Sequence, residues 1–308
     1  MSIEDRFKGC LVGLACGDYL GMPVEFMNPD QIIEVFGDGG IRPVVTPRNA
    51  DKPAGYYTDD TCLAICLAES LLRGFNVQDQ FQTYRQWLYY GHATPDGGKS
   101  FGVGQRTLIA MVRQTNDTIP TKLVNNDKHG GNGAMMRSAP VGLRYYNDPE
   151  MLVKASILSA IVTHNSLLAA YSCVVLNKLI SYALAELPKD QMLERLALEL
   201  PDECPEQIRD LVVHLYQQTQ FPNSGFTLDT LRIALYSFFT TDSYKECITK
   251  AIFYGNDTDT QAAVAGALAG SYYGFTAIPE LWRNTLMKKE CIADLAIKLH
   301  ETTTKAHP

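Results

Sequence analysis

Ile3-Glu4-Asp5-Arg6-Phe7-Lys8-Gly9-Cys10-Leu11-Val12-Gly13-Leu14-Ala15-Cys16-Gly17-Asp18 carries apolar residues at helix spacing (Ile3, Phe7, Leu11, Leu14) and a glycine at every fourth position from Gly9. The pattern predicts a helix with a smooth ridge along one side. Gly266, Gly270 and Gly274 repeat the spacing near the other end of the chain. Glycine inside a helix lowers stability, so its repetition points to close backbone packing, with these two helices in the core and against each other. Helical periodicity recurs at Leu63, Leu67 and Leu71, and again at Leu152, Ala155, Leu158 and Val162. Period-two alternation is scarce: Gly40-Ile41-Arg42-Pro43-Val44-Val45 is a short extended candidate, and nothing alternates strand with helix in the dinucleotide-binding manner. The expected fold is all-α, a compact multi-helix orthogonal bundle with residues 1–308 in one domain.

The chain is 46% hydrophobic, which supplies a large core. A net charge of -7 and a pI near 5.4 argue against a general nucleic-acid binder, leaving nucleic acid only as a modified substrate. The N-terminus is polar and its first apolar stretch is broken by glycines and Asp18, so no signal peptide is read. The longest apolar run is read at Ala262 to Phe275, short of a membrane span and rich in glycine. The eight cysteines form no C-x-x-C pair, and Cys62 and Cys66 lie one turn apart in an apolar stretch. Buried free thiols in a reducing, cytoplasmic compartment fit this usage. The polar stretch from Glu186 to Gly225, punctuated by prolines, reads as an exposed helical insertion or a lid.

Two acidic clusters stand near opposite ends of the chain, Thr58-Asp59-Asp60-Thr61 and Asn256-Asp257-Thr258-Asp259-Thr260, each followed by a small, apolar, helical run. Either alone would serve as a helix cap. As a matched pair they read as two halves of one metal site. A hard divalent cation takes about six oxygen ligands, and carboxylates gathered in one place repel unless cations lie between them.

Three further motifs lie between and before these clusters. Gly13 to Phe26 delivers Glu25 into a loop after Pro23; Gly131-Asn132-Gly133-Ala134-Met135-Met136-Arg137 is glycine-dense; Thr163-His164-Asn165 follows. In this order and at these distances the five motifs resemble the ADP-ribosylglycohydrolase family, from about Phe7 to Trp282. The resemblance implies an all-α fold holding two Mg²⁺ or Mn²⁺ ions, with Thr58, Asp59, Asp60, Asp257, Asp259 and Thr260 as ligands. It implies hydrolysis at C1″ of the distal ribose of ADP-ribose, on an ADP-ribosylated protein, arginine-linked by preference, or on a small ADP-ribose conjugate.

Glu25, Asp60 and Asp96 are the catalytic candidates. Family members place a glutamate near the position of Glu25, and some arginine-directed members carry an aspartate where this chain has Gly102. The general base therefore stays open between Asp96, Glu25 and a cation-bound hydroxide. The glycine loop lines the family's cleft, which implies ligand contacts from Gly131, Asn132, Gly133 and Met135, joined by His164 and Asn256. Arg137 is read as structural, and Tyr272, with Tyr273, as the aromatic to inspect for adenine stacking. The alternatives are a non-catalytic ADP-ribose binder, or a metal-dependent phosphatase, whose Asp-x-Asp motif needs a preceding strand.

Overall fold

The structure, a computed structural model, describes residues 1–126 and 130–306. His129, at the head of the glycine loop, lies outside them. Fifteen α-helices are formed among the described residues. The first five are α1 (Ile3–Gly21), α2 (Pro29–Phe36), α3 (Asp59–Leu72), α4 (Val77–Tyr90) and α5 (Gln105–Arg113). Next come α6 (Ala139–Arg144), α7 (Pro149–Ile161), α8 (Leu167–Leu184), α9 (Lys189–Glu199) and α10 (Glu206–Val213). The last are α11 (Thr227–Phe239), α12 (Tyr244–Phe253), α13 (Thr258–Tyr273), α14 (Glu280–Thr285) and α15 (Lys289–Ala306). No strand forms among the described residues, and one isolated antiparallel bridge joins Gly131 to Phe226. Gly40 to Val45 runs without a pairing partner; Pro43 offers no backbone N–H to a ladder.

The two glycine helices pack antiparallel at backbone contact. A Cβ placed on Gly9 would lie 2.2 Å from the Gly270 carbonyl oxygen, on Gly13 2.4 Å from that of Gly266, and on Gly17 2.0 Å from that of Ala262. The seam ends where Gly21 meets Thr258, whose Oγ1 donates to the Gly21 carbonyl at 2.8 Å. At its other end Arg6 on α1 donates to the carbonyls of Ser271 (3.3 Å) and Tyr272 (2.7 Å), satisfying the last turn of α13 with a cation. Gly274 carries the close approach one step past the helix: a Cβ on Gly9 would lie 2.7 Å from its carbonyl carbon, and it ends α13 at φ +85°, a terminating conformation suited to glycine.

The other helices wrap this pair. Helix α8 is apolar and long enough to cross a membrane, more so than the run at Ala262 to Phe275, but 94% of it is buried inside the protein, which makes it a core helix. The stretch after Glu186 is neither detached nor wholly exposed. Met192 and Leu196 on α9 and Ile208, Leu211 and Val212 on α10 are buried. Lys189 pins the start of α9, donating to the carbonyls of Phe238 (2.6 Å) and Thr241 (2.7 Å) and to Tyr273 Oη (2.7 Å). All eight cysteines are free thiols, with only Cys291 exposed.

The seam leaves no room for a methyl group. Gly17→Ala is expected to lower unfolding free energy by about 2 kcal/mol or more in urea titrations, because the carbonyl it meets belongs to rigid backbone. Gly104→Ala, where the added carbon meets nothing within 4 Å, should change it by less than about 0.5 kcal/mol. Equal effects at the two sites would refute the packing argument.

Candidate active site

The end of the seam fixes three chain segments around one cleft. Past Gly21 the chain makes a 3-10 turn (Met22–Val24) that sends Glu25 outwards. Asp18, one turn earlier on α1, is fully buried and aimed at α3. It accepts from Thr58 N, Thr61 N and Thr61 Oγ1 at 3.0, 3.0 and 2.5 Å. The start of α3, which makes no side-chain cap bond of its own, is thereby capped from α1. Because α13 starts beside Gly21, Asp257, Asp259 and Thr260 come to the same place. Glu25, Asp59, Asp60, Asp257, Asp259 and Thr260 all line a cleft of about 470 Å³, with Gly131, Asn132, Gly133, His164 and Asn256. Thr58 stands immediately behind it, its Oγ1 donating to Asp60 Oδ2 at 3.1 Å.

Carboxylate oxygens of Glu25, Asp257 and Asp259 lie within 4.8 Å of one another. Asp60 Oδ1 is buried with no hydrogen-bond partner. Such an acceptor, buried among carboxylates and threonine hydroxyls, fits a hard divalent cation and leaves an energetic deficit without one. Burial, followed by repulsion from the neighbouring acids, raises Asp59 and Asp60 well above the usual carboxylate range. The same two causes bring Asp257 to about 7 and Asp259 to about 6. Asp18 is raised to about 6 by burial, against the opposing hydrogen bonds from Thr61 and Thr58.

The rest of the rim is held by hydrogen bonds. Asn132 Nδ2 donates to Asp257 Oδ2 (2.5 Å) and Thr230 Oγ1 (2.8 Å), and Asn132 N donates to the Gly225 carbonyl (3.0 Å). A Cβ on Gly133 would stand 2.9 Å from both Thr107 Oγ1 and His164 Cε1, so only glycine fits under that imidazole. Arg137 is buried, donates to the Gly133 carbonyl (2.9 Å) and Thr163 Oγ1 (2.6 Å), and lies 4.5 Å over the Tyr84 ring. These contacts, all within the protein, are those of a residue that props the glycine loop. The Thr163 hydroxyl that accepts from Arg137 also shares a hydrogen bond of 2.8 Å with His164 Nδ1, which fixes the plane of the imidazole over Gly133.

Two residues at the mouth hold left-handed backbone, Phe26 at φ +68° and Asn256 at φ +60°. For non-glycine residues each costs on the order of 1–3 kcal/mol, and such strain collects at functional sites. Phe26 N donates to the Asn256 carbonyl (2.6 Å) and Asn256 N to that of Met27 (2.7 Å), so the strained positions lock each other. The Asn256 side chain donates to the Asn223 carbonyl.

Three expected site residues lie elsewhere. Asp96 is at a surface turn, accepting from Tyr56 Oη (3.1 Å) and Gly98 N (2.9 Å), outside the cleft. Met135 is packed into the core, and its neighbour Met136 lines the cleft instead. Tyr272 sits at the far end of α13 against Phe238 (5.5 Å between ring centres), because a continuous helix carries it about 20 Å from Asp259. Gly102, at φ +87°, brings backbone so close to Asp59 that a Cβ would lie 2.9 Å from its Oδ1. Asp18, Phe26 and Arg48 are the neighbours of the cleft that the sequence reading did not single out; a lone carboxylate in an apolar glycine helix was the available signal for Asp18.

The sequence model of the ADP-ribosylglycohydrolase family matches residues 1–308. The ADP-ribosyl-[dinitrogen reductase] glycohydrolase of Rhodospirillum rubrum is 30% identical over 94% of this chain and 92% of its own length. The ADP-ribosylarginine hydrolase Tri1 of Serratia proteamaculans is 27% identical over 96% of this chain and 79% of its own. A solved ADP-ribosylglycohydrolase-related protein complex superposes with a TM-score of 0.82 at 33% identity, covering 98% of this chain and 99% of that one.

The raised acids set a pH dependence. A carboxyl whose folded pKa exceeds its unfolded value of about 4 binds extra protons when folded, so its stabilising effect is complete at low pH and lost as pH rises through the folded pKa. With Asp257 near 7 and Asp259 near 6, the chelator-treated protein should melt at lower temperature at pH 8 than at about pH 5. Millimolar Mg²⁺ or Mn²⁺ should restore the loss at the higher pH. Thermal melts unmoved by either variable would count against a cation-binding cluster.

Proposed function

We propose that this chain, which belongs to the ADP-ribosylglycohydrolase family, is a metal-dependent hydrolase that releases ADP-ribose from ADP-ribosylated protein side chains, arginine-linked by preference. The observation that carries the reading is the convergence of Asp59, Asp60, Asp257 and Asp259, from opposite ends of the sequence, on one cleft with Glu25 at its rim. The names of the Rhodospirillum and Serratia relatives support a protein substrate, and the second supports the arginine linkage. Small ADP-ribose conjugates would fit the same chemistry.

In this reading Thr58, Asp59, Asp60, Asp257, Asp259 and Thr260 hold two cations, Mg²⁺ or Mn²⁺. When bound, such ions orient ribose hydroxyls and polarise the attacking water. The chain supplies the rest. Asn132 fixes the orientation of Asp257, and Thr58 that of Asp60. The Gly131–Gly133 backbone allows close approach of the ribose and pyrophosphate. Water adds at C1″ as the bond to the side-chain nitrogen or oxygen breaks, and the leaving group takes up a proton. With Asp96 outside the cleft and glycine at 102, Glu25 is the carboxylate we assign to that proton transfer. The phosphatase alternative lacks its required strand, since Asp257 directly precedes helix α13. We further read residues 1–308 as one working domain, and the buried free thiols as those of a cytoplasmic protein.

Matched arginine- and serine-linked ADP-ribosyl peptides, incubated with Mg²⁺, Mn²⁺ or chelator, test the proposal directly. Metal-dependent release of ADP-ribose, faster from the arginine linkage, is expected. Asp60→Asn and Asp259→Asn should each reduce turnover about 100-fold or more while leaving the helical circular dichroism intact. Undiminished rates in both variants would remove the metal assignment.

A further inference from the structure

We propose that Glu25 and Phe26 form a seat for a planar guanidinium at the mouth of the cleft, filled by this chain's own Arg48 until a substrate arginine displaces it. Arg48 stands in a 3-10 turn (Pro47–Asn49) outside the cleft lining. Its guanidinium makes an ion pair with Glu25 and lies with Cζ 4.5 Å from the centre of the Phe26 ring. An edge on a carboxylate and a face on an aromatic ring is the arrangement that guanidinium groups take up; an ammonium fits it less well, and a neutral hydroxyl can hydrogen-bond the carboxylate but has neither charge nor planar face for the ring.

The seat is built, and its occupant can leave. The turn bearing Arg48 is tied to the backbone two residues before Glu25, where Thr46 Oγ1 donates to the Pro23 carbonyl at 2.7 Å. Phe26 is held in its left-handed conformation by the paired bonds with Asn256, which keep its ring at the rim. The Glu25 side chain is 14% exposed, that of Arg48 29%, and Phe26 is 66% exposed, so solvent reaches the seat from one side. Because a Glu25 carboxylate oxygen is within 4.8 Å of oxygens of Asp257 and Asp259, a guanidinium seated there adjoins the acids to which C1″ is assigned. The location of the seat relative to the reaction rests on the hydrolase reading above; its binding chemistry does not. A side chain still attached to a protein reaches the acids from solvent, and Phe26 lines the cleft it enters, so an arginine arriving beside Phe26 exchanges like for like with Arg48.

Agmatine, a small guanidinium, is the probe, titrated by calorimetry into the Mg²⁺-loaded full-length protein. Arg48→Ala should tighten agmatine binding about tenfold, and Phe26→Ala added to that variant should abolish the gain. Arg48→Gln, with a thermal melt on each variant, guards against a folding defect. The KM for arginine-linked peptide should fall in Arg48→Ala relative to that for serine-linked peptide. Agmatine binding that is unchanged or weakened in folded Arg48→Ala and Arg48→Gln overturns the seat, and makes Arg48 only a support for Glu25. If agmatine tightens while no ADP-ribosyl peptide is cleaved, the seat stands and the hydrolase reading falls.

Discussion

Backbone contact between α1 and α13 is the constraint from which the site follows. Helices ordinarily pack 8–10 Å apart because side chains intervene. Here four glycines of α1, from Gly9 to Gly21, remove the spacer on one side, and Gly270 and Gly266 remove it on the other at the first two contacts. Two rods in such contact have one register, and that register decides what lies at its end. Thr258 meets Gly21, so the late acidic motif starts where α1 stops and where the Glu25 turn begins. Asp18 then reaches sideways from the same helix to hold the first turn of α3. One packing decision thus positions carboxylates from three separate parts of the sequence.

Much of this fold was readable because its determinants are periodic and local. The helical spacing and the glycine repeats predict both the all-α class and the meeting of the two helices, and the structure is a helical ADP-ribosylglycohydrolase fold. Gly274 meets α1 as the ridge spacing predicts, but it also ends α13, which spacing alone does not tell. Among the described residues α8, rather than the run at Ala262 to Phe275, is the single helix long and apolar enough to cross a membrane, and only its burial shows what that hydrophobicity is for.

The site was legible in part. Motifs at helix starts carry their geometry with them, so the Thr-Asp-Asp and Asp-x-Asp-Thr clusters come to one cleft, as does the glycine loop. Residues whose direction depends on a loop or a helix phase did not follow the expectation. Asp96 faces Tyr56, Met135 faces the core, and Tyr272 is carried away along α13. Phe26 and Arg48 were invisible as a pair because nothing in a sequence marks a phenylalanine that will adopt positive φ, or an arginine that will lie across it.

The seam also bears on how such a chain is made. Its two halves are separated by 237 residues at the Gly21–Thr258 contact, so closing it carries the entropy of a loop of that length. During synthesis from the N-terminus, α1 emerges before α13, with α2 to α12 made between them. Until α13 arrives, the bare glycine face of α1 has no fitting surface, and glycine makes that helix weak on its own. The acids remain apart and hydrated for the same interval. Assembly of the cleft therefore waits for α13, and the repulsion it concentrates is met only once the helices between exist to bear it.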